Sequence, residues 1–434
     1  MKRILIAEAK QQAGKTVELG AFAQTIRHHG KIVFLVLRDI SGTIQAVVFD
    51  QDLVKAAESL TAESVLRVKG EVKKSDQAPD GIEIGVSEFE VLSAAEPELG
   101  IPVVEKAGET SQEKRLDFRW LDLRKPRNQL IFKVWTTMEE ACREYWTAHG
   151  YLEIHSPKIV GAATESGAEV FKLEYFEQEA YLAQSPQFYK QMAMASGFEK
   201  VFEVGPVFRA EPSFTSRHST EFTGFDMEIS FIESHEDVMV EHEQLLIAML
   251  KAVKQAHGDA IKAEFGREIV VPKAPFPRVT MANAKEQLKA AKVTGAKAGD
   301  LSPEEERTLS ELIAKDTSHE FVFVTDYPLE TRPFYHMRQD GDPKLTRSFD
   351  LLWNGAEITT GAQREHRPDV LERQAAEKGI DPASIRFYLD FFKHGCPPHG
   401  GFGNGPGRMM MKLLDVGNIR EVTFLPRSVK RITP

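Results

Sequence analysis

Across residues 1–95, apolar and polar positions alternate in short runs: TVELGAF (16–22), IVFLVLR (32–38), TIQAVVF (43–49), SVLRVKGEV (64–72) and GIEIGVSEFEVL (81–92). A period of two sends successive side chains to opposite faces of a strand. Turn-forming stretches, DISG (39–42) and APDG (78–81), separate the runs, and one helical interruption, DLVKAAESL (52–60), breaks the series. Five strands with tight connections predict a small Greek-key barrel of the OB-fold type, an architecture that often binds nucleic acid. Over 96–128 the alternation gives way to a Pro/Gly-containing stretch and then the basic, aromatic KRLDFRWLDLRKPRN, which reads as a linker and hinge.

From 129 to 434 the spacing becomes helical in places. Val134, Met138, Cys142 and Tyr145 recur on one helix face, and Gly150 is placed to end that helix. Ser234 opens a second helix; Ser302, with Pro303 behind it and Glu305 completing a capping box, opens a third. The Ala/Lys-rich stretch near 284–298 reads as a solvated helical insertion. The β segments between these helices do not alternate regularly with them, so the domain is predicted as α+β rather than a doubly wound or TIM architecture.

Composition changes this picture little: 434 residues, 42% hydrophobic and 28% charged, are ordinary for two globular domains. Charge changes it more. A net charge of -10 excludes indiscriminate coating of a polyanion, so any nucleic acid must be met by a local site. No apolar run approaches the roughly 20 residues of a bilayer helix, and no signal-peptide core follows Met1, so a cytoplasmic protein without membrane attachment is expected. Cys142 and Cys396 are expected as reduced thiols, too few for a disulfide framework. Two decoys fall away. AGKT (13–16) lacks the first glycine of a P-loop, since position 9 is Ala9, and the glycines of GGFGNGPGR (400–408) lack the setting of a dinucleotide fingerprint.

The chemistry concentrates in VFEVGPVFRAEPSFTSRHSTEFTGFDMEISF (201–231). Alternation puts Phe202, Val204 and Phe208 on one face of the first strand, with Arg209 and Glu211 on the other. On the returning strand Phe225, Met227, Ile229 and Phe231 face one way, Asp226 and Glu228 the other. A hairpin would then gather charges of both signs beside a loop carrying Arg217, His218 and Phe222. Guanidinium for phosphate, carboxylate for an exocyclic amine and an aromatic ring for a base suit a nucleotide, although a structural ion-pair network has the same pattern. In SFDLLWNGAEITTG (348–361), Asn354-Gly355 marks a two-residue turn that pairs Leu352 with Glu357, Leu351 with Ile358 and Asp350 with Thr359. Asp350 and Glu357 become diagonal neighbours, which calls for a hard cation such as Mg²⁺ or for a neutralising lysine or arginine. Arg364 follows closely, and Gln187 and Lys190 in QSPQFYK could join it around a small carboxylate.

Together these residues resemble the class II aminoacyl-tRNA synthetases, specifically the shorter, archaeal and eukaryotic type of aspartyl-tRNA synthetase. The stretch ending in HSPKI resembles motif 1, the dimer-forming element; FRAEPSFTSRHSTEFTGFDME resembles motif 2; GGFGNGPGRMMM resembles motif 3. The resemblance implies an antiparallel sheet flanked by helices and an enzyme that activates aspartate with ATP and transfers it to tRNA(Asp), with tRNA(Asn) as an open second acceptor. It implies catalytic roles for Arg209 and Arg408, and ATP binding by Arg209, Glu211, Arg217, His218, Phe222, Glu357, Gly405 and Arg408. Aspartate would be met by Glu165, Gln187, Lys190, Arg209, Asp226, Thr360 and Arg364, and Mg²⁺ by Asp350, Glu357 and Thr360. In the barrel, Arg27, Phe34 and Gln45 would read the anticodon; without the resemblance, Phe34 reads first as a barrel-core aromatic. Discrimination between the two tRNAs would depend on the turn at His28 and His29 and the loop at Pro79.

One departure stands out: motif 3 usually carries an acidic residue before its arginine, and here that position is Gly407. The rivals are an asparaginyl-tRNA synthetase, which Lys190 disfavours because the pocket must then accept a neutral amide, and a tRNA-binding relative without catalysis.

Overall fold

In the computed structural model the described residues are 2–106, 108–162, 169–295 and 297–434. They form two compact units, 1–129 and 130–434. In the first, strands Thr16–His29, Ile32–Asp39, Gly42–Val48, Val65–Lys74 and Ile82–Ser93 close a barrel in the order first, second, third, fifth, fourth. Alternation sends Leu19, Val33, Leu35, Leu37, Ala46 and Val68 into its core. A bulge between Ala23 and Thr25 lets the long first strand serve two neighbours. The helix Gln51–Ala57 starts at Asp50, whose carboxylate accepts from the amides of Asp52 and Leu53.

The stretch 96–128 belongs to this unit. It carries helices Gln112–Asp117 and Arg119–Asp122 and a small cluster of Ile101, Val103 and Leu121. Fully buried Asp122 binds Arg119 at 2.7 Å and Lys125 at 3.1 Å.

The second unit is built on an eight-stranded sheet. Its spatial order is Arg278–Thr280, Phe321–Thr325, Ser348–Trp353, Ala356–Arg364, His399–Asn404, Glu221–Ser230, Lys200–Phe208 and Leu152–Glu153. Only the two outermost pairings are parallel; the rest are antiparallel. Helix Pro126–Ala148 contributes Val134, Met138, Cys142 and Trp146 to the core, and helix His235–Phe265 contributes Leu245, Leu246, Met249 and Leu250. Both pack with Phe225, Met227, Leu351 and Phe402 of the sheet. Helices start at Ser234 and Ser302 as expected, and the Ser302–Glu305 capping box forms; Ser234 makes a second box with Asp237 that was not anticipated. Cys142 is buried and Cys396 half-buried, both as free thiols. No helix among the described residues is long and apolar enough to cross a membrane.

Two sequence expectations need correction. Phe231 is 69% exposed, because the strand ends at Ser230 and the backbone turns left-handed at Phe231 itself. The Ala/Lys-rich stretch is no solvated insertion: helix Met281–Ala290 buries Met281, Ala284 and Leu288 against Leu309, Val322 and Val324. Its apolar stripe is only three residues, Met281, Ala284 and Leu288, set among lysines that mask it in the sequence.

Candidate active site

A cavity of about 800 Å³ opens on the charged face of the sheet. The hairpin Lys200–Phe208/Glu221–Ser230 supplies one wall and keeps a regular register, pairing Val207 with Phe222, Glu203 with Asp226 and Val201 with Glu228. The Arg209 amide extends the ladder by donating to Thr220 O at 2.9 Å, and its guanidinium carbon lies 5.5 Å from the Phe222 ring centroid. Glu211 accepts from Ser213 N at 3.2 Å. Burial opposes its ionisation, but that bond and the nearby Arg209 hold the carboxyl below its ordinary value. Burial and Arg408 push the His218 pKa down, against the pull of Glu211. Arg217 reaches across to Glu306 at 2.7 Å and Gly355 O at 3.0 Å.

The loop between these strands is pinned from a direction that periodicity does not reveal. Ile419 N donates to Ser216 O at 2.9 Å, Arg420 Nη2 to Thr215 O at 3.0 Å, and Thr220 N to Arg427 O at 3.1 Å.

The floor is a chain of opposite charges. Lys190, on helix Gln187–Ala195, is only 2% exposed; its Nζ donates to Asp226 Oδ1 and Phe402 O, each at 2.9 Å, and lies 3.3 Å from Glu228. Arg364 Nε donates to Glu228 at 3.0 Å and Nη2 to Gly401 O at 2.9 Å. Gln187, Asp226, Thr360 and Arg364 line the cavity, whereas Lys190 lies just beneath and acts on it through Asp226. The buried Nε2 of Gln187 has no hydrogen-bond partner among the described residues, a donor left for something in the cavity. Gly401 must lack a side chain here: a Cβ would sit 2.1 Å from Met227 O and 2.2 Å from Glu228.

The second hairpin turns at Asn354 and Gly355, both with positive φ. Leu352 pairs with Glu357 as expected, but a bulge then displaces the register, so Asp350 lies opposite Thr360 and Leu351 opposite Thr359. The expected Asp350–Thr359 and Leu351–Ile358 pairs are therefore wrong by one residue; simple alternation has no means of showing a bulge. Asp350 Oδ2 accepts from Arg332 Nη2 at 2.8 Å, while buried Oδ1 has no hydrogen-bond partner among the described residues. Arg332 in turn stacks 3.5 Å from the Tyr327 ring centroid. Glu357 and Thr360 line the cavity, with Thr360 Oγ1 3.4 Å from Glu357 Oε1. Burial, Asp350 and Glu306 push the Glu357 pKa up, against the pull of Arg408. An orphaned carboxylate oxygen beside a second, strained carboxylate fits a hard divalent cation.

Arg408 opens the helix Pro406–Leu414 after the strand His399–Asn404. Strand, turn and helix thus do follow one another at the glycine-rich stretch, but both pairings of the strand are antiparallel, unlike a dinucleotide unit. Arg408 Nη1 donates to Glu357 O at 3.0 Å and Oε1 at 3.3 Å. Glu357 therefore orients the guanidinium that Gly407, having no carboxylate, leaves to it.

Residues 111–429 match the family model of tRNA synthetases class II (D, K and N), and residues 17–92 match that of the OB-fold nucleic acid binding domain. The chain belongs to the class II tRNA synthetases. It is 44% identical over 438 residues to the aspartate–tRNA(Asp/Asn) ligase of Aeropyrum pernix, covering 99% of this chain and 98% of the relative. To the aspartate–tRNA(Asp) ligase of Pyrococcus abyssi it is 41% identical, covering 97% of each chain. A crystal structure of asparaginyl-tRNA synthetase from Pyrococcus horikoshii complexed with asparaginyl-adenylate superposes with a TM-score of 0.93 at 34% identity, covering all of both chains.

As a class II synthetase the chain is an aminoacyl-tRNA ligase. Sequence reasoning missed Arg332, His336 and Glu306, which bind Asp350, Arg364 and Arg217 respectively; of those partners Arg364 and Arg217 line the cavity and Asp350 lies behind it. The density of charged and aromatic residues in DYPLETRPFYHMR, next to the second hairpin, was the available signal for the first two. Glu165 lies outside the described residues. On the synthetase's barrel, Phe34 stands half-buried outside the core cluster, so it is not a core aromatic; it pairs across the ladder with Arg27. Gln45 donates to Glu83 at 3.0 Å, which adds Glu83 to the same patch.

Proposed function

We propose that this synthetase joins L-aspartate to tRNA(Asp). Arg364 carries this reading, because it faces the cavity as a guanidinium braced by Glu228, and a neutral amide needs no such cation. Because an asparaginyl enzyme shares the fold so closely, the fold alone does not choose the amino acid. The relatives named above as aspartate ligases support the choice.

In the first step an oxygen of the aspartate α-carboxylate attacks the α-phosphorus of ATP in line, and the bond to the bridging oxygen of pyrophosphate breaks. Arg209 would lie on the α-phosphate, with Phe222 against the adenine ring and Glu211 accepting from its amino group. Arg217, His218 and Arg408, beside Gly405, would meet the remaining phosphates. Asp226 and Glu165 would face the substrate ammonium, and Gln187, Thr360 and Arg364, with Lys190 behind Asp226, its carboxylates. Asp350, Glu357 and Thr360 would hold Mg²⁺, which neutralises phosphate charge when bound. No protein nucleophile is required, because positioning and charge stabilisation suffice. In the second step the terminal ribose hydroxyl of tRNA attacks the activated carbonyl and AMP leaves.

Arg27, Phe34 and Gln45 would stack on and read anticodon bases. The working form would be a cytoplasmic homodimer assembled through the motif 1 helix. L-aspartate-dependent ATP–pyrophosphate exchange tests the reading; exchange with L-asparagine alone would overturn it. The Asp/Asn name of the Aeropyrum pernix relative supports tRNA(Asn) as a second acceptor. Charging of both purified tRNAs decides that point, and a product with tRNA(Asp) only would remove the second acceptor.

A further inference from the structure

His336 stands directly across the backbone from Arg364, in an antiparallel bridge. The flanking hydrogen bonds, Met337 N to Gln363 O at 3.0 Å and Glu365 N to Tyr335 O at 2.9 Å, fix that register. Cross-strand partners project to one side of a sheet, so the two side chains meet. Arg364 Nη1 donates to His336 Nε2 at 3.0 Å, and both residues line the cavity. From behind, Gln374 Nε2 donates to the carbonyls of Phe334 and His336 at 2.7 and 3.2 Å, tying the segment to helix Pro368–Glu377.

A guanidinium has donors only, so Nε2 must present a lone pair and the ring must be neutral with its proton on Nδ1. Burial and the positive charges of Arg364, Arg332, Lys378 and Lys190 act in the same direction, holding the imidazole well below its ordinary pKa. The charge of Arg364 is set by what surrounds it. Glu228 is bound to it on one side and is shared with Lys190, which Asp226 also holds, so these two cations and two carboxylates balance. A carboxylate at position 336 would add a negative charge to that balance, and the site would then disfavour an anionic side chain relative to the isosteric amide.

We propose that His336 is a specificity-positioning residue: an uncharged acceptor that fixes the Arg364 guanidinium without cancelling its charge, so that the site favours a carboxylate side chain over an amide. This rests on the reading that Arg364 meets the substrate side chain.

The test compares full-length H336Q, H336E and R364K with the unaltered enzyme in ATP–pyrophosphate exchange, measuring kcat and KM separately for L-aspartate and L-asparagine. H336Q keeps a neutral acceptor and should hold the aspartate-to-asparagine ratio of kcat/KM within about threefold, while H336E should lower it by about tenfold or more, mainly through the aspartate KM. A merely structural role would move both substrates and both variants alike, and that result overturns the inference. So does an unchanged ratio in H336E when R364K impairs aspartate. If R364K leaves aspartate unaffected, the reading of Arg364 itself falls, and this inference with it. Should H336E not fold, H336L takes its place: removal of the acceptor must lower kcat/KM for aspartate by about tenfold where H336Q does not, and equal losses overturn the proposal.

Discussion

The two hairpins that face the cavity hold their glutamates in opposite ways. Glu228 is wholly buried, and burial alone would raise its pKa; Arg364 and Lys190 outweigh that and keep the carboxyl below its ordinary value. Glu357, its side chain 36% exposed, is pushed up by burial and by Asp350, with Arg408 compensating only in part. The first network is electrostatically complete without a ligand. The second leaves Glu357 with a raised pKa although Arg408 lies beside it. The end proposed for the amino acid is thus preorganised, whereas at the end proposed for metal and triphosphate one carboxylate is held less favourably until a cation joins it.

The largest effect should come from breaking the complete network. Glu228→Ala would remove the carboxylate that Lys190 and Arg364 share in the interior, and urea denaturation should show a loss of about 3–5 kcal/mol. A loss under about 1 kcal/mol would mean that the two cations find other partners and that the floor is not a closed network. On the same hairpin but above the floor, Arg209→Ala should leave the denaturation midpoint close to that of the unaltered protein, since Arg209 is exposed. It should lower kcat for pyrophosphate exchange by about 10²–10³. A small change in kcat with a raised KM for ATP would recast Arg209 as a ground-state contact.

The same contrast explains how far the sequence could be read. The first hairpin keeps a strict period of two over its paired residues, so the side on which Arg209, Asp226 and Glu228 project follows from alternation alone. The barrel was legible for the same reason, with apolar runs and turn residues agreeing at each connection. The second hairpin was legible only as far as Glu357: the bulge after it is a backbone feature without a side-chain signature. Arg332, Glu306 and the segment 419–427 reach the cavity through tertiary contacts between elements far apart in the chain. No local pattern encodes such contacts; Arg217, for example, meets a glutamate 89 positions away. The buried side of 281–290 was hidden by composition, because Met281, Ala284 and Leu288 stand among lysines and exposed alanines that read as a solvated surface.

Removing the partial compensation in the second network sharpens the comparison. Arg332→Ala would leave Asp350 beside Glu357 with no guanidinium on it. Protonation of one carboxyl can absorb part of the cost, so the expected loss is about 1–3 kcal/mol, smaller than at Glu228. Mg²⁺ should restore part of that loss in the Arg332 variant and none in the Glu228 variant. If Mg²⁺ stabilises neither, the cation reading of Asp350 and Glu357 fails.

The smallest effect is a slope with pH. A glutamate whose pKa is raised on folding binds its proton more tightly in the native state, so its contribution is complete below the unfolded value and is lost as pH rises through the folded one. For Glu357 that window begins near the ordinary value of 4.5 and extends upward. In metal-free buffer the stability of the unaltered protein relative to Glu357→Gln should therefore fall as pH rises from that value toward neutrality, and Mg²⁺ should flatten the difference. Glu228 has the opposite sign: its lowered pKa gives stability that is present above the ordinary value and lost as pH falls below it. Paired urea titrations, of Glu357→Gln above that value and of Glu228→Gln below it, would show differences of opposite slope if the two networks are held as described. Parallel slopes would mean that both glutamates are compensated alike and that the asymmetry between the two ends of the cavity is not electrostatic.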